Sequence, residues 1–137
     1  MYLGVRYLTE TPVFEKGLIL FNCQATLAEC KNIISRFDLF RDRNDAFVES
    51  FLNRSIAQSG EPLSLGERQR VQFIRAMATK PKVLFFDEAF SGIEENLKRD
   101  VIWKIIDDRS ILTLVYIGHR RSIQELFDKK ICFLSGC

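Results

Sequence analysis

Histidine is almost absent from this sequence: His119 is the only one. The four cysteines, Cys23, Cys30, Cys132 and Cys137, form no C-x-x-C pair. A zinc site with the usual Cys/His spacing is therefore not expected, and free thiols in a reducing compartment are the plain reading. Charge of one sign is also scarce. The net charge is +2 at pH 7, with no long like-charge block. That leaves no footprint for a polyanion, and no nucleic-acid partner is expected. No apolar run approaches the ~18 residues that a membrane span needs. The start, MYLGVRYLTETP, lacks a basic segment followed by a long apolar one, so no signal peptide is expected. Repeats, low-complexity tracts and heptad runs are missing as well. Finally, the seven glycines (Gly4, Gly17, Gly60, Gly66, Gly92, Gly118 and Gly136) include none in a G-x-x-x-x-G-K-[ST] run. The 137 residues thus hold no loop of the kind whose backbone N–H groups and lysine cradle phosphates.

What is present is apolar and periodic. With 47% hydrophobic residues over 137 positions, one domain with a real core is expected. Leu3 to Leu8 reads as a short strand broken by Thr9-Glu10-Thr11-Pro12. Thr26 to Phe40 and Ala46 to Ile56 read as amphipathic helices around the polar loop 41–45. A helix follows Ser64 and runs to Ala78, with Val71, Ile74 and Ala78 on one face. Val83 to Phe86 is a continuous apolar run behind Pro81, which suits a strand buried on both faces. Ile93, Leu97, Val101 and Ile105 recur every four residues, with Ile102 alongside, and mark a helix with a buried stripe. Ile111 to Ile117 reads as a buried strand, Ser122 to Phe127 as a short helix, and Lys130 to Leu134 as a last strand. Strands alternating with helices and tight turns predict a parallel sheet. Twelve phenylalanines are many for this length. Core is the plain reading for most, with an exposed apolar patch for a partner as the alternative.

Two stretches carry chemistry. Ser64 and Glu67 stand three apart ahead of a helix, which is a capping box. Gly66 leaves the first turn's backbone open to close approach, and a helix N-terminus attracts anions such as phosphate. The bland alternative is a plain helix cap. Arg68 and Arg70 are expected on a solvated face. The second stretch is Asp87-Glu88 at the carboxyl end of an apolar strand, where ligands of parallel α/β sheets bind. An aspartate there can hold Mg²⁺, and a neighbouring glutamate can act as general base. The bland alternative is a solvated acidic strand end.

Taken together, LSLGERQR, KPKVLFFDE, SGIE and the histidine of VYIGHRR resemble the ATP-binding cassette (ABC) family in order and spacing. The resemblance spans nearly the whole chain. It implies that Leu63 to Glu67 is the signature motif, departing from LSGGQ at Leu65 and Glu67, with Ser64, Gly66 and Glu67 facing nucleotide. It makes Val83 to Asp87 the Walker B strand, Asp87 the magnesium ligand and Glu88 the catalytic glutamate. Ser91 to Glu94 becomes the D-loop, with Ser91 at the nucleotide interface, and His119 the switch histidine that donates to a γ-phosphate. Glu10 falls where the family usually has glutamine. It offers an oxygen to the metal together with a charge that the amide lacks. The implied fold class is α/β: an incomplete P-loop NTPase-like parallel sheet with an α-helical signature subdomain. Residues 23–78 would be the helical part, and 1–22 with 79–137 part of the α/β core. The implied cofactors are ATP and Mg²⁺. The implied partners are a second nucleotide-binding domain and a transmembrane domain, which would place the chain in the cytoplasm at the inner face of a membrane.

The family carries its phosphate loop upstream of the segment around Glu10, so the chain resembles the part from the Q-loop to just past His119. YLTETPVFEKGLILFN is similar to the exporter type. Two functions follow from the resemblance. One is an ATP-binding and hydrolysing domain that couples hydrolysis to transport, present as a truncated chain inactive alone. The other is a non-catalytic module without Walker A that binds or regulates a complete ABC partner. A chromosome or DNA-repair ATPase head shares the signature, but its long coiled coils would show as heptads, and there are none.

Overall fold

A computed structural model describes residues 5–8, 17–18, 25–56, 63–118 and 121–129. In chain order the elements are strands β1 (Val5–Leu8) and β2 (Gly17–Leu18). Helices α1 (Leu27–Phe37) and α2 (Asp45–Leu52) follow, then strand β3 (Ser55–Ile56). Helix α3 (Leu65–Ala78), strand β4 (Val83–Asp87), helix α4 (Glu95–Asp107) and strand β5 (Thr113–Ile117) complete the set, with a 3₁₀ turn at Arg121–Leu126. β4 lies between β1 and β5 in one sheet. Both pairings are parallel, with Val83 opposite Val5 on one side and Thr113 on the other. Parallel neighbours need a crossover, and α4 supplies the one between β4 and β5. The expected parallel sheet is therefore present. The strand expected over Lys130 to Leu134 lies outside the described residues.

Local chemistry sets most helix ends. Thr26 and Glu29 close a capping box on α1, with Thr26 N–H donating to Glu29 Oε2 at 2.8 Å and Glu29 N–H to Thr26 Oγ1 at 3.2 Å. Asn44 caps α2 by accepting from Phe47 N–H at 2.9 Å. The second helix stops at Leu52, four residues short of the expected Ile56. Asn53 turns its amide back onto Glu49 O at 2.9 Å and ends the helix. Ser55 and Ile56 then pair antiparallel with Leu18 and Gly17 as a two-stranded ribbon. A pairing that distant in sequence overrides the local helical pattern.

The core is aromatic at its centre. Phe73 of α3 packs edge-on to Phe37 of α1 at 4.9 Å, and reaches Phe90 at 5.6 Å and Phe86 of β4 at 6.3 Å. Leu84 and Phe86 point into this core, while Val83 and Phe85 are half-buried. β4 is thus fully covered on one face, where a continuous apolar run predicts two. Leu97, Val101, Ile102 and Ile105 bury the expected stripe of α4. Each described phenylalanine is buried or half-buried, so none forms an exposed patch. Among the described residues, the large exposed apolar ones are instead Trp103, 57% exposed, with Leu65, Ile106, Leu112 and Ile117. Among the described residues, no helix is long and apolar enough to cross a membrane.

Two ion pairs tie α1 and the turn after it to α4 and its C-cap. Arg41 reaches Asp100 at 2.7 Å on the surface. Arg36 reaches Asp108, just past the end of α4, also at 2.7 Å. Asp108 is buried, and its other oxygen accepts from Ser110 N–H at 2.9 Å. Burial pushes the Asp108 carboxyl up, but Ser110 and Arg36 together outweigh it and hold it below the usual carboxylate range. A carboxyl lowered in the folded state adds stability above its unfolded pKa and loses it as pH falls through the folded one. Asp108→Asn should therefore cost about 1–3 kcal/mol at neutral pH. The deficit should shrink as pH drops below about 4, the ordinary aspartate value. Urea melts of the two proteins across that range check both expectations.

Candidate functional site: the signature turn and the Asp87–Glu88 strand end

Ser64 is the N-cap of α3, and the expected capping box is formed. Ser64 N–H donates to Glu67 Oε2 at 2.8 Å, and Glu67 N–H donates to Ser64 Oγ at 3.2 Å. Glu67 is thereby committed to its own helix end, and its other oxygen lies 3.8 Å from Arg54. Ser64 is exposed. Its oxygen accepts from Glu67, and its O–H remains to donate to another group. The N-terminus of a 14-residue helix sits behind it with the positive end of the dipole.

Gly66 plays a different part from the one its sequence position suggests. It is buried, and a Cβ built on it would stand 2.5 Å from Gly92 O. The bare backbone at this position is filled by another stretch of the same chain. Arg70 also departs from expectation: it is half-buried, not solvated. Its Nε donates to Leu39 O at 2.7 Å, and its guanidinium lies over Phe40 at 5.3 Å. Burial lowers its pKa, while Glu67 and Asp42 act in the opposite direction. A cavity of about 280 Å³ opens beside it, walled by Arg41, Arg43 and Arg70 against Asp42, Glu67 and Glu94. The two signs balance, so the cavity has no net anion-attracting field.

The strand end is built by strain and burial together. Asp87 closes β4 and is exposed. Glu88 follows at φ 49° and Phe90 at φ 68°, both in the left-handed region that disfavours side chains. Glu88 N–H donates to Ile117 O at 2.8 Å and so prolongs the β4–β5 ladder by one residue. The Phe90 ring is buried 5.1 Å from Phe86 and anchors the reversal. The turn then delivers exposed Ser91 and Gly92 to α3. There Gln69, 3% exposed, donates from Nε2 to Ser91 Oγ at 2.9 Å and accepts from Gly92 N–H at 2.9 Å. Gln69 was invisible to motif reasoning. Its one signal was a polar residue two positions before the buried Val71.

Of the residues expected at the site, Ser64, Gly66 and Glu67 share the first turn of α3. Asp87, Glu88 and Ser91 share the strand end and its turn, and Gly92 and Gln69 join the two groups. Glu10 and His119 lie outside the described residues. Among the described residues there is no cluster of three or more His, Cys, Asp or Glu side chains able to hold a metal unaided. Asp87 and Glu88 offer hard oxygens. Mg²⁺ usually takes one or two carboxylates and completes its shell with water and substrate phosphate, so this donor set fits it.

The ABC transporter family model matches residues 4–91, a span that holds both the signature turn and the strand end. This chain belongs to the ABC transporter family. It carries sequence of that family's ATP-binding domain. Multidrug resistance protein 1 of Plasmodium falciparum is 32% identical over 114 residues, 80% of this chain and 8% of that protein. The lipopolysaccharide export system ATP-binding protein LptB of Haemophilus influenzae is 35% identical over 107 residues, 77% of this chain and 43% of LptB. The chain thus spans less than half the length of either relative. Among solved structures, a bacterial Atm1-family ABC exporter with ATP bound superposes with a TM-score of 0.70 at 24% identity. It covers 86% of this chain and 21% of its own, and at that identity the likeness is one of fold.

The close approach at Gly66 makes a sign prediction. In an ordinary helix, Gly→Ala stabilises by about 1 kcal/mol. Here Gly66→Ala should instead destabilise by about 1–3 kcal/mol, the usual cost of overpacking. Thermal melting of the variant beside the wild type reads the sign directly.

Proposed function

We propose that this chain acts within an exporter-like ABC transporter, in the ATP-hydrolysing unit that couples hydrolysis to transmembrane transport. Nucleotide-binding domains of the family generally dimerise and pair with transmembrane domains. The observation that carries the reading is the exposed Ser64 at the N-terminus of α3, its Oγ already accepting from Glu67 N–H, inside the matched span. Such a turn suits the terminal phosphate of an ATP held by an opposing domain. In that complex Ser64 donates to a phosphate oxygen, while Gly66 and Glu67 keep the turn in shape. Asp87, with Glu10 as a second oxygen, would hold Mg²⁺, which offsets the charge developing on the phosphate. Glu88 orients the attacking water and takes its proton. His119 donates to the phosphate, and Ser91 faces the opposing domain. The working place is the cytoplasmic face of a membrane, reached through the transmembrane partner.

One observation favours a second role. The 137 residues contain no phosphate-cradling run. A chain of this composition can still present its α3 turn to the ATP of a complete partner, and so regulate it without turning over ATP itself.

The 137-residue chain alone should bind Mg-ATP more weakly than micromolar and hydrolyse none measurably. Calorimetry giving micromolar affinity would overturn that. Mixed with a complete ABC nucleotide-binding domain, the chain should alter the partner's Mg-ATP turnover. Ser64→Arg should abolish the effect under either role. Glu88→Gln should abolish it only if this chain contributes a hydrolytic site of its own.

A further inference from the structure

We infer that Gln69 is a positioning residue that locks the signature turn to the turn after Asp87-Glu88, so that the two move as one body. Both ends of its amide are used, at 2.9 Å to Ser91 Oγ and 2.9 Å to Gly92 N. The orientation is fixed by chemistry: a backbone N–H must meet an oxygen, so Oε1 faces Gly92 and Nε2 faces Ser91. The side chain is buried, which makes each bond costly to leave unmade.

The backbones beneath it are interlocked. A Cβ on Gly66 would meet Gly92 O at 2.5 Å, and a Cβ on Gly92 would meet Leu65 Cγ at 2.8 Å and Gly66 N at 3.0 Å. Neither turn can slide past the other without first opening the Gln69 amide. Ser91 Oγ accepts from Gln69, so the Ser91 hydroxyl proton is not shared with Gln69 and remains to donate to another group. Gln69 itself is held from the far side because Val71, Phe73 and Ile74 of the same helix are anchored in the core.

The functional meaning rests on the proposed ATP reading: Gln69 would keep Ser64 and Gly66 in fixed register with Glu88. The structural claim does not depend on that reading and is tested without nucleotide. Amide hydrogen exchange and resonance positions are measured on the 137-residue chain. Gln69→Ala should raise exchange at Gly92 about tenfold, the equivalent of one buried hydrogen bond. It should also shift the amide resonances of Leu65 to Glu67, two to four residues before the substitution. Exchange at Gly92 unchanged within about twofold, well below one hydrogen bond, or Leu65 to Glu67 resonances that stay in place, would overturn the inference. If Gln69→Ala fails to fold, Ser91→Ala removes one end of the clamp and should move the same Leu65 to Glu67 resonances while Gly92 stays protected. Fixed resonances in that variant overturn the clamp too. The nucleotide arm is separate. With a complete ABC nucleotide-binding domain and Mg-ATP as the probe, Gln69→Ala should lower the chain's effect on partner turnover while its affinity for the partner is kept. No effect from the wild-type chain would defeat the ATP reading and leave the clamp to the exchange result.

Discussion

The Phe90 ring holds the site together. The turn after β4 passes through the left-handed region at Glu88 and again at Phe90, without a glycine at either position. Each such residue costs roughly 1–2 kcal/mol. Burying a phenylalanine recovers about 1.5–3 kcal/mol, and edge-on ring pairs add about 0.5–1.5 kcal/mol each. Phe90 has two such partners, Phe73 and Phe86. The gain and the strain are of similar size, so the turn persists because its apolar anchor is in place. With that anchor set, Ser91 and Gly92 fall where Gln69 can hold them, and Gly66 has a neighbour to pack against.

The electrostatics follow a similar division of labour. Arg41–Asp100 lies on the surface, where such pairs contribute about 0–1 kcal/mol. Arg36–Asp108 has one partner buried and carries more, because Asp108 without it would be a poorly compensated charge. The two pairs clasp α4 and its C-cap to α1 and the turn that follows α1. Lys98, buried on α4, pairs with Glu95 at 2.8 Å. The helical region is therefore joined to α4 by polar contacts and to β4 by aromatic ones.

What the sequence made legible was what short spacings determine. Ser64 and Glu67 announced their capping box, Leu97 to Ile105 their stripe, and Val83 to Phe86 their strand. Each is decided within one or two turns of chain. Two misreadings share one cause, a partner remote in sequence. Ile56 left its helix for Gly17, and Arg70 turned inward to Leu39 and Phe40. Gln69 looked like one more polar residue in a basic helix until the turn at Ser91 arrived beside it. Motif matching found the residues that face outward. The residues that hold them were invisible because their partners lie a strand or more away.

The order of pairing in the sheet bears on how the chain is made. β1 leaves the ribosome well before β4, yet β4 is its parallel neighbour, with Leu8 opposite Phe86. At about 5–20 residues per second, β1 waits several seconds for a mate while α1, α2 and α3 emerge and collapse. During that interval Val5 to Leu8 is an apolar edge available to other nascent chains. Only when Phe86 clears the exit tunnel can the strand be claimed by its own molecule. The risk of misassembly thus lies between the two strands and ends with the one that brings Asp87 and Glu88 into being.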